Sequence, residues 1–418
     1  MKILWLTNIP LPEASYLINE KPIPTGGWLI NASKDLSDKG NIDLSIVFPG
    51  LHSKKVDLFK GKNINYYRFP AIHMTNRKSI EQNKYLEKIL KNSKPDIVHI
   101  FGTEYAHSLA MVNICKKLGI KTIISIQGLV SIYAKHFTAN LPIRIQKNFT
   151  LRDFIKQDNI LQQQKKFFKK GELEIEAIQK VDHIIGRTTW DRACTYQINS
   201  AANYHHCNET LRDEFYNHKW SLDECEEHSI FISQAAYPIK GLHYVLEALP
   251  LILKRFPNTK LYVAGIDITS STTLKSKLKK SSYAKYIGEL IDKYKLKKHI
   301  VFTGSLDEKE MCKQYLRSNV FVSPSSIENS PNSLGEAMIL GVPSIASDVG
   351  GVSDLLEHKE EGFIYQADAP YMLAYYVGEI FKNKELALRY SRKAREHALK
   401  THNKGINTNK LVEIYKSI

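Results

Sequence analysis

Two glutamates separated by a short polar loop, Glu328 and Glu336, are the residues of this chain best placed to do chemistry. An apolar run at 320–322 predicts a buried strand before them, and the apolar spacing after Asn332 predicts a helix. A helix N-terminus suits an anion such as a diphosphate, because its first N–H groups are unpaired and its dipole is positive there. Glu336 would face back toward the loop and accept hydrogen bonds from hydroxyls. A capping box beside a solvated acid is the plainer interpretation.

The predicted helix has Ser330 or Asn332 as its N-cap and ends at Gly341. A nucleotide-sugar consists of a diphosphate, a ribose and a sugar ring. The stretch offers a partner for each of these three parts, so we expect such a ligand here.

The composition is that of a globular chain with two or three domains, because 418 residues exceed the usual size of one domain. No stretch approaches the ~20 apolar residues of a membrane helix, and the apolar run at the N-terminus is too short for a signal peptide. The five widely spaced cysteines form no C-x-x-C motif, which favours a cytoplasmic protein without a disulfide framework. A net charge of +16 predicts an anionic partner, whether nucleic acid, lipid head groups or a phosphorylated substrate.

Apolar strand-like runs alternate with helical patterns along most of the chain, which predicts two successive parallel sheets covered by helices. We expect strands at 3–6, 44–48, 65–69, 97–100, 122–126, 183–185, 230–233, 260–264, 300–303, 320–323, 344–346 and 363–365. The expected helices of the first half lie near 28–36, 79–90, 106–117 and 172–177. The polar segment 205–227 lacks strand alternation and is the expected connection between a first domain at 1–204 and a second at 205–383. Residues 384–418 are expected to be terminal helices.

Loops after the predicted strands carry glycine or polar residues, and ligands of doubly wound sheets bind at these strand ends. Such residues are Gly26 and Gly27, Glu104, Gln127 and Gly128, and Gly304 with Ser305. Lys240 stands at the start of a predicted helix, from which its ammonium would reach a phosphate. Ordinary turns and a solvated lysine are the alternatives.

The stretch 135–170 holds nine Lys or Arg against two Asp, with five phenylalanines among them. A basic, aromatic-bearing segment of this kind binds anionic membrane surfaces. A solvated helix pair with its aromatics turned inward fits the same residues.

Several sequence motifs together resemble glycosyltransferase family 4, which comprises retaining enzymes of the GT-B fold. The motifs, in the family's order, are Thr25-Gly26-Gly27, Lys240-Gly241, Tyr262-Val263-Ala264-Gly265, Phe302-Thr303-Gly304, Glu328 with Glu336-Ala337-Met338, Gly341-Val342-Pro343 and Asp348-Val349-Gly350-Gly351. The resemblance spans nearly the whole chain. It implies an α/β fold with two Rossmann-like, doubly wound domains facing a central cleft, and terminal helices that cross back to the first domain.

The resemblance also implies roles for individual residues. Glu328 would contact the donor sugar near its reacting carbon, Glu336 would hold the ribose, and Lys240 would neutralise the departing phosphate. The remaining donor-binding residues would be Ser330, Pro331, Asn332, Ser333 and Leu334 at the diphosphate, Gly304, Ser305 and Leu306 at the base, and Gly26 and Gly27 on the N-terminal side. Acceptor-side residues would be Glu104, Gln127 and Gly128.

The sequence departs from the family pattern at two places. The family usually has an arginine several residues before the lysine, but residues 233–239 contain none, so charge on the leaving group would rest on Lys240, a helix dipole and Arg212. Many members carry a histidine where this chain has Gln127, which hydrogen-bonds hydroxyls but cannot act as a base.

The implied function is retaining hexosyl transfer from a UDP- or GDP-sugar to a glycan or lipid-linked acceptor, in synthesis of a surface polysaccharide. No D-x-D triplet occurs, so we expect neither a metal nor another cofactor. A nucleotide-sugar 2-epimerase, a phosphorylase on the same fold and an inactive membrane-associated scaffold are the alternatives. Nucleic acid is not an expected partner, because no recognised binding module is present. The expected location is cytoplasmic, with the stretch 135–170 at the inner face of the plasma membrane.

Overall fold

A computed structural model describes residues 1–22, 26–270 and 278–418 of the chain. Thr25, which belongs to one of the motifs above, lies outside the described residues. The first unit consists of Met1–Ile132, Phe168–Leu211 and His402–Ile418, and the second of Tyr133–Phe167 and Arg212–Thr401.

The first unit is built on an eight-stranded sheet in the order β3-β4-β2-β1-β5-β6-β7-β8. All neighbouring strands are parallel except β3 and β4, which form an antiparallel pair at one edge. The strands are β1 (Lys2–Leu6), β2 (Asp43–Gly50), β3 (Asp57–Lys60), β4 (Asn65–Pro70), β5 (Ile97–Phe101), β6 (Lys121–Ser125), β7 (His183–Gly186) and β8 (Asn203–His206). The strand order reverses between β1 and β5, which makes their ends a topological switch point.

The second unit is built on a six-stranded, fully parallel sheet in the order β11-β10-β9-β12-β13-β14. The strands are β9 (Glu226–Ile232), β10 (Lys260–Val263), β11 (Ile300–Phe302), β12 (Ser318–Ser323), β13 (Ser344–Ser347) and β14 (Gly362–Tyr365). This is the 3-2-1-4-5-6 order of a doubly wound sheet, with its switch point between β9 and β12. Every residue of β12 is buried, as expected for a parallel strand covered on both faces.

Helices cover the sheets and fill the connections between strands. They are α1 (Pro12–Leu17), α2 (Gly27–Ser37), α3 (Arg77–Glu81), α4 (Lys84–Ser93), α5 (Ala106–Leu118), α6 (Val130–His136), α7 (Ile143–Gln146), α8 (Leu151–Lys156), α9 (Ile160–Ile178), α10 (Thr189–Ile198), α11 (Asp213–Tyr216), α12 (Leu242–Leu253), α13 (Ser282–Lys293), α14 (Glu308–Arg317), α15 (Asn332–Leu340), α16 (Pro370–Lys382), α17 (Lys384–Thr401) and α18 (Lys404–Lys416). Short 3₁₀ turns lie at Pro238–Lys240, Lys297–His299 and Val352–Asp354. Within the described ranges, no helix has both the length and the apolar composition needed to cross a bilayer.

All twelve predicted strands are present, and two further strands were missed. Both β3 and β8 are edge strands whose residues are largely half-buried or exposed, so they lack the apolar alternation that marks a covered strand. The predicted helix at 79–90 is two helices, because Asn83 leaves helical geometry and caps α4 through hydrogen bonds from Tyr85 N–H and Leu86 N–H.

The units differ from the predicted domain bounds in two places. Strand β8 and the start of β9 occupy both ends of the expected connection at 205–227. Residues 133–167 belong to the second unit, where buried Asp153 accepts hydrogen bonds from both the N–H and the hydroxyl of Ser282. The terminal helices were expected to cross back to the first domain, and His402–Ile418 does belong to the first unit, where the Tyr415 hydroxyl accepts from Trp5 Nε1 at 2.9 Å.

Candidate functional site

The loops at the switch point of the second sheet bring Lys240 and Glu328 together. Lys240 ends a 3₁₀ turn after β9, and Gly241 follows it with a positive φ of 72°. A Cβ on Gly241 would lie 1.9 Å from the carbonyl oxygen of Pro324 in the loop after β12. Only glycine fits so close to that backbone, so Gly241 allows the two loops to pass against each other.

An ion pair joins Lys240 Nζ to Glu328 Oε1, and both side chains are largely buried. The Ser325 hydroxyl donates to the same oxygen at 2.8 Å, and the Gly351 N–H donates to the Glu328 carbonyl at 3.1 Å. Burial acts to lower the pKa of Lys240, but the Glu328 carboxylate and Tyr237 outweigh it and hold the pKa above its ordinary value. Lys240 is therefore a fixed cation at this edge of the sheet.

A second ion pair joins Arg212 to Glu336, which lies one turn inside α15. Arg212 Nε and Nη2 each donate to one carboxylate oxygen at 2.7 Å, the two-pronged geometry that makes such pairs strong. Glu336 is only 6% exposed, and burial raises its pKa although Arg212 opposes this rise. The Arg212 guanidinium also lies 4.6 Å from the centre of the Phe215 ring. The arginine that was expected near the leaving phosphate thus contacts the expected ribose carboxylate.

The start of α15 differs from the predicted cap. Pro331 occupies the N-cap position and makes no side-chain cap hydrogen bond, so neither Ser330 nor Asn332 is the cap. Proline's fixed φ suits the entry to a helix, and Pro331 has no side-chain acceptor for the first N–H groups. Ser330 and Leu334 are buried, and Tyr315 donates to the carbonyl of Ser333 at 2.9 Å. Gly341 ends the helix in the left-handed conformation, as predicted.

The loop expected at the base follows β11 in the same sheet. The Gly304 carbonyl accepts from the Gly265 N–H at 2.9 Å, so the turns after β10 and β11 are joined. Ser305 is exposed and Leu306 is half-buried before the capping box of α14. The loop therefore offers mostly backbone groups.

The remaining predicted residues belong to the first unit. Gly26 caps α2 with a φ of 76°, and Gly27 is the first residue of that helix. Gln127 Nε2 donates to Glu209, whose other oxygen accepts from Arg187 Nη1 at 2.9 Å. The other two predicted residues of this unit are half-buried Gly128 and Glu104, whose pKa is raised by burial.

Residues 214–397 match the family model described as "Glycosyl transferases group 1". This segment is therefore similar to group 1 glycosyltransferases. An uncharacterized glycosyltransferase of Methanocaldococcus jannaschii is 26% identical over 162 residues, which cover 39% of this chain and 37% of that protein. A putative glycosyltransferase of Bacillus subtilis is 26% identical over 185 residues, which cover 44% of this chain and 43% of that protein. The matches therefore span less than half of either relative.

Solved structures show the fold of the whole chain. Sucrose-phosphate synthase from Thermosynechococcus elongatus superposes with a TM-score of 0.70 at 15% identity, covering 100% of this chain and 98% of that one. Anabaena HepE in complex with UDP-glucose superposes with a TM-score of 0.69 at 14% identity and full coverage of both chains. The predicted GT-B fold is confirmed. Assignment to family 4 stays a prediction, as does the facing of the two domains across a cleft.

The sequence did not point to several polar residues that support the predicted site residues. Ser325 holds Glu328 in the second unit. In the first unit, fully buried Glu174 accepts from the Thr103 hydroxyl, in the loop that carries Glu104, and from the N–H of Val130, the first residue of α6. Such partners are distant in sequence or ordinary in type, so spacing gave no signal for most of them. Among the described residues, no cluster of three His, Cys, Asp or Glu is arranged to hold a metal ion.

Proposed function

We propose that the chain is a retaining hexosyltransferase of family 4 that uses a nucleotide-sugar as its donor. The observation that carries this proposal is the pair of buried ion pairs in the second unit, Lys240–Glu328 and Arg212–Glu336. They supply a cation for phosphate and a carboxylate for sugar hydroxyls at the carboxyl ends of parallel strands, where ligands of such sheets bind. HepE, which has the same fold, was solved with UDP-glucose, and this supports a donor of that chemical class.

Lys240 acts on the leaving group in this mechanism. Transfer breaks the bond between the anomeric carbon and the diphosphate oxygen, and the electron pair stays on the phosphate. A preorganised ammonium beside that oxygen lowers the barrier, because it is attracted most strongly as the charge develops. The raised pKa of Lys240 keeps this group charged, with the Glu328 carboxylate and Tyr237 outweighing the effect of burial.

Glu328 orients the donor sugar and stabilises positive charge on its ring. The leaving phosphate takes the proton of the acceptor hydroxyl on the same face from which it departs, and the new glycosidic bond forms on that face. Atoms and charge balance without a metal or another cofactor. Ser325 fixes the carboxylate through its hydroxyl hydrogen bond to Glu328 at 2.8 Å.

Glu336 binds the ribose, and Arg212 sets its orientation. Each carboxylate oxygen has two acceptor positions, so the hydrogen bonds from Arg212 leave capacity for ribose hydroxyls. The N-terminus of α15 and residues Ser330 to Leu334 lie one turn before Glu336 and bind the diphosphate. Residues 304–306 lie against the base.

The acceptor is a glycan or a lipid-linked sugar, and the product enters a surface polysaccharide made on the cytoplasmic side of the membrane. Glu104, Gln127 and Gly128 contact it. The buried pair Arg187–Glu209 supports this assignment by fixing the amide of Gln127 through Glu209.

Calorimetric titration with UDP, GDP and their common hexose conjugates tests the donor site. We expect saturable binding of one nucleotide class, weakened at least tenfold in Glu336→Gln and unchanged in Glu385→Gln, whose residue is exposed in α17. Slow release of free nucleotide from the bound conjugate would then report cleavage. Failure of every nucleotide to bind to folded protein would contradict the proposal and favour an inactive scaffold.

A further inference from the structure

In the short helix α8, the buried side is polar and the exposed side is apolar. Its inner side is polar: Asp153 is fully buried, accepts the N–H of Ser282 at 2.9 Å and closes a capping box with Thr150. Ser282 is the first residue of α13, so a polar anchor fixes α8 to the second unit. Because the buried Asp153 carboxylate accepts these hydrogen bonds, it holds the helix in one orientation.

The outer side of α8 is apolar. Leu151, Phe154 and Ile155 are 50%, 72% and 72% exposed, and their spacing of three and four residues places them on one face. Nearby, Ile143 in α7 and Phe149 before α8 are 67% and 53% exposed. Apolar surface in water is unfavourable in proportion to its area, so a cluster of this size marks a surface that is covered in use.

Both helices contact α13, at different points along its length. Arg144 of α7 pairs with Glu289 of α13 at 2.9 Å, and α8 is anchored at Ser282. We call the exposed side chains of Ile143, Phe149, Leu151, Phe154 and Ile155 the apolar rim. Other aromatics of the same stretch do turn inward, since Phe137 is buried against Phe167 with ring centres 4.7 Å apart.

The surroundings of the apolar rim are positively charged. Residues 141–167 contain six Lys or Arg and two Asp, and both aspartates are in ion pairs with Arg152, at 2.9 and 3.2 Å. Lys147 and Lys156 are exposed within the same segment as the rim. Protein interfaces are depleted in lysine, whereas anionic lipid head groups attract it.

We propose that the apolar rim docks the second unit onto an anionic lipid bilayer. The side chains of the rim enter the boundary between head groups and acyl chains, and Lys147 and Lys156 contact the lipid phosphates. This binding mode needs both components, since apolar insertion gives affinity and the lysines select anionic lipid. The inference does not depend on the proposed sugar transfer.

Flotation with vesicles of phosphatidylcholine and phosphatidylglycerol at 7:3, compared with phosphatidylcholine alone, tests the proposal. The full chain should float with the anionic vesicles and bind the neutral ones at least tenfold more weakly. The double variants Phe154→Ser/Ile155→Ser and Lys147→Gln/Lys156→Gln should each lose at least tenfold in binding. The matched controls are Leu388→Ser, which changes a leucine of the same unit that is 50% exposed, and Lys254→Gln, which changes an exposed lysine beyond α12; both should bind as the unaltered chain does.

Several outcomes would overturn the proposal. Equal flotation with neutral and anionic vesicles, or unchanged flotation of Lys147→Gln/Lys156→Gln, would show that the lysines do not bind lipid. Unchanged flotation of Phe154→Ser/Ile155→Ser would show that the apolar rim does not bind lipid. A concentration-dependent dimer that is lost in Phe154→Ser/Ile155→Ser, measured by light scattering, would assign the rim to a second copy of the chain. Melting curves and nucleotide titrations of the same variants separate these results from misfolding and from failure of the donor site.

Discussion

Each sheet has a topological switch point beside its first strand, yet the two sheets place different chemistry there. In the second unit, Lys240 and Glu328 meet as a buried ion pair in the loops after β9 and β12. In the first unit, the corresponding strands β1 and β5 bring together aromatic and neutral groups, with Trp5 and Phe101 rings 4.8 Å apart. The two switch points thus occupy corresponding places in their sheets, and the side chains near them differ in charge.

The first unit contains a buried neutral histidine, His99, in β5. His99 lies between the Tyr415 hydroxyl at 2.6 Å and the Ser125 hydroxyl at 2.7 Å, and burial lowers its pKa to about 3. His99 and Ser125 line a cavity of about 50 Å³, and Arg187 and Glu209 line it as well. The first unit thus buries a neutral histidine near one ion pair, while the second keeps two ion pairs at the expected donor site.

Breaking one ion pair in each unit gives the largest expected effect. Arg212→Ala leaves Glu336 buried without its guanidinium, and losing one partner of such a pair typically costs about 3–5 kcal/mol of unfolding free energy. Arg187→Ala should destabilise the first unit to a similar degree through Glu209, but leave nucleotide affinity unchanged. Urea unfolding and nucleotide titration of both variants check this comparison. Unaltered nucleotide binding by folded Arg212→Ala would contradict a role for Arg212 at the ribose.

Removing the cation at the second switch point should slow the reaction more than it weakens donor binding. We expect Lys240→Ala to lower kcat about 10²–10³-fold, the usual cost of losing one group that stabilises developing charge. The change also leaves Glu328 without its ion-pair partner. Steady-state release of nucleotide, with Lys254→Ala as the surface control, measures the effect. An unchanged kcat would remove the leaving-group role from Lys240.

Two glycines with the same backbone conformation test how closely the loops pack. Gly119 has a φ of 69° with nothing within 4 Å of an added Cβ, so Gly119→Ala should cost roughly 1–2 kcal/mol from backbone strain alone. Gly241 has a φ of 72°, and a Cβ there would meet the Pro324 carbonyl oxygen at 1.9 Å. Gly241→Ala should therefore cost more and also weaken donor binding, as thermal melts and titrations would show. If Gly119→Ala and Gly241→Ala lowered the free energy of unfolding equally, the loop after β9 would be free to move away from Pro324.

The sequence predicted the covered strands well because parallel strands buried on both faces are continuous apolar runs, as β5 and β12 are. It missed β8, whose residues Asn-Tyr-His-His lie at an edge of the sheet. The membership of residues 133–167 in the second unit also escaped prediction, since it depends on Asp153 contacting Ser282, 129 positions away. The local apolar pattern of a sequence indicates which strands are buried. It does not indicate which polar residues, distant in sequence, contact each other.

The candidate site shows the same division. Lys240 and Glu328 each carried a local signal, a helix start and a loop after a strand, and the structure brings them together. The partner of Arg212 could not be inferred, because an arginine in a polar connection has many acidic residues within reach. Proline at the cap of α15 was likewise missed, since Ser330 and Asn332 on either side are commoner caps.

The smallest expected effect concerns acid stability and the neutral histidines. Folded protein keeps His99 uncharged because burial lowers its pKa to about 3, whereas the unfolded chain takes up a proton as the pH falls below about 6.5. The unfolded state then binds more protons, so stability falls as the pH falls through this window. His99 should account for about 1 kcal/mol of the loss of stability between pH 7 and pH 5.5.

In His99→Gln this part of the pH dependence should vanish, whatever constant cost in stability the change brings, while His52→Gln at an exposed position should retain it. Unfolding titrations at both pH values measure the difference, and parallel pH profiles for His99→Gln and the unaltered chain would show that His99 is not held neutral in the fold.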